Sequence, residues 1–123
     1  MKRIIRLGLI GISSGNGHPY SWAAIFNGYN PKTIETCGFP VIPRYLEKQK
    51  FPDNFISDAE VTHIWTQNKE ISRHIADATN IKFVVEKFTD LIGKVDAILL
   101  ARDDAENHYK FASPFLNAGL PIY

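Results

Sequence analysis

The sequence predicts an α/β domain built on a parallel β-sheet with helices on both faces. Three observations carry that expectation. Short, almost uninterrupted apolar runs alternate with helical patterns, a glycine-rich turn follows the first run, and the last long helical stretch leads into another apolar run. Strands covered on both faces need apolar side chains on both, so they read as continuous runs rather than as alternation.

Each element has its own local reason. Residues 4–10 (IIRLGLI) form the first strand. A helix is expected over 19–27, with Pro19 suited to its first position and Gly28 to the position just past its end. The second strand is VTHIW, 61–65. A helix over 69–79 follows, with Ile71, Ile75 and Ala78 on one face and Asn68 as N-cap. Residues 81–85 make a short third strand, and Thr89 caps a brief helix over 90–93. The fourth strand is VDAILLA, 95–101. Asp103 then opens a long helix, with Glu106 at capping-box spacing and Gly119 as its stop. Residues 120–123 start a fifth strand. The segment 30–58, with Pro31, Pro40, Pro43 and Pro52, interrupts this rhythm. It reads as an irregular insertion holding one short helix near 44–49, dispensable for the sheet.

A chain of 123 residues is one domain, 1–123, large enough to bury a core. Its 14 Lys and Arg against 13 Asp and Glu give a net charge of +1, with no basic run, so nothing marks a nucleic-acid or membrane partner. Cys37 is the single cysteine, which excludes an internal disulfide and fits a reducing compartment. The N-terminus MKRIIRLGLIG lacks the apolar length of a signal peptide, so a cytoplasmic location is expected. His18, His63, His74 and His108 share no metal-ligand spacing with Cys37 or with each other, so no metal site is expected.

The turn after the first strand carries the chemistry. A dinucleotide turn places glycines at G-x-G-x-x-G. Counting from Gly11, Ser13 and Asn16 hold the second and third glycine positions, so the strict pattern fails. Gly15 and Gly17 still supply backbone freedom, Ser13, Ser14, Asn16 and His18 add polar groups, and Ala23 and Ala24 take over close packing. The amides of Tyr20 and Ser21, at the helix start, are the expected anion donors. A glycine-rich turn that binds nothing is the alternative. The second strand ends in Thr66, Gln67 and Asn68 with no acid to hold a ribose, and then Lys69. Amide contacts to the ribose, or a slight lean to NADP through Lys69 and Arg73, follow from that end.

Four stretches carry a resemblance: GLIG, GNGHPYSW, VTHIW and DAILLARDDAENHYKFASPFLNAGLPIY. Together they resemble the N-terminal NAD(P)-binding domain of the Gfo/Idh/MocA oxidoreductases, the family of glucose–fructose oxidoreductase and inositol dehydrogenase. The likeness covers the chain outside 30–58. It implies a Rossmann-like, doubly wound parallel sheet, here truncated after the fifth strand, and an NAD(P) cofactor. In the family an Ala-Thr-Pro-like motif ends the fourth strand beside the cofactor. The matching Ala101, Arg102 and Asp103 keep the backbone contact with different side chains, and His108 is similar in position to a family histidine. The family's catalytic lysine lies in a motif that would follow Tyr123, so no catalytic residue is expected within these residues.

The resemblance also implies that a separate substrate domain is absent from this chain. The expected parent is an NAD(P)-dependent oxidoreductase acting on a sugar, cyclitol or related polyol, with the 123-residue chain inactive by itself and prone to self-association. The alternatives are a non-catalytic redox-sensing or scaffolding module and a domain for another nucleotide, such as coenzyme A.

Overall fold

The computed structural model describes residues 3–50 and 56–123. Pro52, the last proline of the insertion, lies outside the described residues. The sheet has four parallel strands in the order β3-β2-β1-β4, with β1 at Ile5–Ile10, β2 at Ala59–Trp65, β3 at Phe83–Val84 and β4 at Ala97–Leu100. β1 pairs with β2 on one side and β4 on the other, so chain order reverses beside β1. A reversal of this kind opens a crevice at the carboxyl ends of the strands. The fold is a Rossmann-like doubly wound α/β sheet.

Strand alternation divides the core in two. Leu7 and Leu9 of β1 join one cluster, and Ile10 joins the other. On the first face lie α1 (His18–Asn27), α2 (Pro31–Ile34), α3 (Val41–Glu47) and α4 (Lys69–Thr79), which contribute Ala23, Ala24, Ile34, Leu46 and Ile75. On the second lie a 3-10 turn, Phe88–Leu91, and α5 (His108–Asn117), which contribute Leu91, Phe111 and Phe115. The rings of Phe88 and Phe111 meet edge-on at 5.1 Å, and Trp65 lies 5.5 Å from Phe111.

Local rules account for the boundaries. Asn68 caps α4, its side chain accepting from the Glu70 and Ile71 amides at 2.9 and 3.2 Å. Asn80, at φ 59°, ends the same helix in the left-handed conformation that asparagine tolerates. Asn27 at the end of α1 exchanges two 2.9 Å hydrogen bonds with the backbone of Val61, which fixes β2 against that helix.

Three expectations need correction. The fifth strand is not a strand of this sheet. Residues 120–123 run along β4 with a single parallel bridge, Ile98 to Ile122, and Pro121 has no N–H to extend the ladder. The long helix opens at His108 rather than Asp103, behind a 3-10 turn at Ala105–Asn107, because Asp103 and Asp104 spend their carboxylates elsewhere. The insertion is not irregular throughout. α2 and α3 bury Ile34, Ile42 and Leu46 in the first cluster, with Cys37 between them, so it belongs to the core.

Phe115 is fully buried and supports the second cluster. Phe115→Ala should therefore cost about 3–5 kcal/mol of stability in urea unfolding, as truncated buried aromatics do. Its cost should exceed that of Leu116→Ala, the exposed neighbour.

Candidate functional site

The crevice lies where the exits of β1, β2 and β4 meet. The turn leaving β1 begins at Gly11, whose amide donates to Trp65 O at 3.0 Å. A Cβ at Gly11 would stand 2.6 Å from Cγ of Pro19, so the missing side chain is what lets α1 start directly on the strand exit. At Gly17 a Cβ would stand 2.4 Å from Cδ1 of Ile42 and 2.9 Å from Cγ of Phe39, both from the insertion. Gly11→Val should accordingly displace the helix start. That loss of packing adds to any effect on a ligand.

The free donors sit in the loop and not in the helix. Tyr20 and Ser21 donate to Gly17 O at 3.0 and 3.3 Å, which corrects the expectation that they face an anion. His18 N donates to Oδ1 of Asn16 at 2.9 Å, and Asn16 N to Ser13 O at 3.1 Å, so Asn16 folds the loop onto itself. Among the described residues, no group accepts from the backbone N–H of Ser13, Ser14, Gly15 or Gly17. Gly15 sits exposed at φ +74°, in the region where adjacent amides form an anion-binding concavity. No acidic residue in the first turn of α1 offsets its positive dipole end.

A polar clamp holds that loop in place. The Gln67 amide grips the Ile12 peptide from both sides, accepting from its N–H at 3.0 Å and donating to its carbonyl at 2.5 Å. Nη1 of Arg102 donates to Oε1 of Gln67 at 2.8 Å and to Gly11 O at 3.2 Å. The same guanidinium forks onto Asp104 at 2.9 and 2.6 Å and lies over the Phe111 ring at 4.6 Å. Oγ of Ser13 donates to the Asp103 carboxylate at 2.6 Å and accepts from the Asp103 amide at 3.0 Å. Nε2–H of His108 donates to Arg102 O at 2.8 Å, which fixes the imidazole as a brace for the β4 exit.

The structure therefore gathers Gly11, Ser13, Gln67, Arg102, Asp103 and His108 into one network beside the loop, with Ala101 buried at the end of β4. Thr66 and Asn68 do local work. Oγ1 of Thr66 donates to Asn68 O at 2.6 Å and meets Oγ of Ser72 at 2.7 Å, and Asn68 caps α4. Lys69 is ion-paired with Glu86. His18 stacks on Trp22 at 4.9 Å.

Two clefts flank the loop. One, of about 360 Å³, is lined by Ser14, Gly15, Cys37, Phe39, Gln67 and Ile71. The other, of about 410 Å³, lies against His18, Trp22, Phe39 and Tyr45. Cys37, Phe39 and Ile71 are apolar lining residues of the first cleft that sequence reasoning missed, as are Trp22 and Tyr45 in the second. Only the folding of the insertion over the loop brings Cys37 and Phe39 there, and no spacing in the chain announces it. A hydrogen-bonded relay holds that fold. Thr36 donates its hydroxyl proton to Thr33 O, so it accepts from Nε2–H of His74 at 2.8 Å. Nδ1 of His74 is then left to accept the Tyr20 hydroxyl at 2.7 Å. Burial, with Cys37 adding to it, pushes the Tyr20 phenol up to about 12, so it stays a donor. Among the described residues no three His, Cys, Asp or Glu side chains converge as metal ligands, and no helix is long and apolar enough to cross a membrane.

No protein-family model and no curated protein sequence matches the chain. Solved structures do. Apo scyllo-inositol dehydrogenase from Lactobacillus casei matches 99% of this chain and 28% of its own at 15% identity, TM-score 0.59. Myo-inositol 2-dehydrogenase from Lactobacillus plantarum matches 98% of this chain and 27% of its own at 13% identity, TM-score 0.61. The L. casei enzyme with bound NAD(H) and scyllo-inositol matches 98% and 27% at 15% identity, TM-score 0.56. At such identities the likeness establishes a shared fold. The chain spans under a third of the length of these proteins.

The clamp makes a pH prediction. Hydrogen bonds from Arg102, with a further one from Asn107, hold the Asp104 carboxyl well below the usual carboxylate range. A lowered folded value means that the pair stabilises the fold above the unfolded carboxylate value of about 3.9, and fades as acid protonates it. Asp104→Asn should cost about 3 kcal/mol at neutral pH, the usual loss when one partner of a largely buried pair is removed. Variant and parent stabilities should converge in urea titrations below that range.

Proposed function

We propose that this chain is the nucleotide-binding domain of an NAD(P)-dependent oxidoreductase of the Gfo/Idh/MocA kind, acting on a sugar, cyclitol or related polyol. One observation carries the reading. The amides of Ser13, Ser14, Gly15 and Gly17, without acceptors among the described residues, stand at the strand-to-helix turn where chain order reverses. Backbone donors at that position suit a pyrophosphate, and they need no side-chain charge to do so.

The residues present fit a dinucleotide. The loop supplies donors for the diphosphate, and the dipole of α1 favours its charge. The cleft on the β2 side, beside Gln67 and Ile71, takes the adenosine end, and the β4 exit, at Ala101 to Asp103, takes the nicotinamide end. Bound there, the nicotinamide would supply the hydride-transfer chemistry. The chain's own residues do the positioning. Gln67 and Arg102 hold the Ile12 peptide so that the loop donors stay aimed, and Ser13 and His108 fix the backbone beyond β4. The polyol class is supported by the shared fold with inositol dehydrogenases, one of them solved with NAD(H) and scyllo-inositol. The non-catalytic alternative draws no support from these observations.

Ser14→Asp tests the cradle. Ser14 is exposed and makes no hydrogen bond among the described residues, so the change should leave the fold intact. A carboxylate beside the loop donors should weaken ADP and both dinucleotides by roughly tenfold or more, NADP most of all. In the parent chain, ligand at about a hundred times its dissociation constant should add roughly 2.7 kcal/mol of stability in a thermal-shift titration. Unchanged affinity in the variant would remove the loop from the site.

A further inference from the structure

We propose that the inserted segment makes this site selective for NAD, by walling the adenosine end with Phe39 and Cys37 beside Ile71 of α4 and offering a 2′-phosphate no cation. This rests on the dinucleotide reading above. The usual reader of a bare ribose is an acid at the end of β2, and the usual reader of a 2′-phosphate is an arginine there. This chain has neither in position. The residue after Thr66 is Gln67, and both ends of its amide are occupied by Ile12, with Arg102 on its oxygen as well.

Among the described residues, the cations at the β2 and β4 exits and on α4 are committed or turned away. Lys69 is paired with Glu86. Arg102 is forked onto Asp104, so the pair presents little net charge. Arg73 follows Ile71 by two positions on α4, about 200° around the helix, and so points away from the wall that Ile71 forms. Both ring nitrogens of His74 are engaged, by Tyr20 and Thr36. Among the described residues, the lining of the cleft contains no lysine or arginine.

The insertion turns that lack of charge into selectivity. Without it the β2 side of the crevice would open to water, where a phosphate is well solvated. With α2 and α3 folded over the loop, Phe39 and Cys37 line a cleft of about 360 Å³ together with Ile71 of α4. A 2′-phosphate placed there would lose hydration with no cation among the described lining residues to offset its charge. A bare 2′-hydroxyl needs only one polar neighbour, and the Ser14 hydroxyl lines the same cleft without a partner among the described residues. Phe39 offers the adenine an apolar ring. Selectivity of this kind comes from withholding a cation.

Calorimetric titration of the full chain with NAD and with NADP tests the proposal. NAD should bind at least about tenfold tighter, and Ile71→Arg should narrow or reverse that ratio, since a buried-edge cation opposite the phosphate is worth at least that factor. Ser14→Arg, on the exposed loop, provides a second route to the same readout where Ile71→Arg fails to fold. Equal or tighter NADP binding by the parent chain would overturn the proposal, as would arginine variants that leave the ratio unchanged. Binding of neither nucleotide would overturn this proposal together with the dinucleotide reading, whereas a wrong ratio overturns only this one.

Discussion

Arg102 sits where the exits of β1, β2 and β4 converge, and one guanidinium serves all three. It reaches the Gly11 carbonyl after β1, the Gln67 amide after β2 and the Asp104 carboxylate after β4. Parallel strands end in carbonyls and amides that have no further ladder to join, so the crevice of a doubly wound sheet must satisfy them by other means. Here a charged side chain shielded by Phe111 does so, and Gln67 carries its effect to the Ile12 peptide. Beside it, the amides of Ser13, Ser14, Gly15 and Gly17 meet no protein acceptor among the described residues. These open amides are a consequence of the clamp, because a loop free to relax would turn them toward its own carbonyls.

The insertion depends on the same loop from the other side. Phe39 and Ile42 press on Gly17, where no side chain could fit, and the Tyr20–His74–Thr36 relay ties the segment to α1 and α4. Connections between such elements are commonly about 2–6 residues and leave the crevice open. This one folds over the loop and lines the clefts beside it. The domain therefore has one polar cradle with an apolar wall beside it, both set by the packing around a single strand-to-helix turn.

Much of this was legible in the sequence, and the reasons differ by element. The strands around Leu9, Ile64 and Ile98 could be read because burial on two faces leaves an apolar run, and α4 because Asn68 and the Ile71–Ile75 spacing obey local rules. The loop was recognisable as a candidate from its glycines and serines. Its donors were misplaced, since whether Tyr20 N faces outward depends on how Gly17 O is oriented, which no residue type reveals. Asp103 and Asp104 looked like a helix cap because carboxylates at a helix start usually are. Their partners, Ser13 and Arg102, are assigned by tertiary contact. The insertion hid its role for the same reason. Four prolines suggest a loop, yet Ile34, Ile42 and Leu46 needed only two short helices to reach the core.

The amides of Ser13, Ser14, Gly15 and Gly17 are proposed to receive a diphosphate. Amide chemical shifts of the isotope-labelled chain, followed while NAD and then ADP are added, test it most directly. The expected result is a saturable shift of the Ser14, Gly15 and Gly17 resonances with both ligands, with the amides of the Phe88–Leu91 turn on the opposite face unmoved. Saturable shifts confined to other residues, or none in this loop at millimolar ligand, would contradict the account.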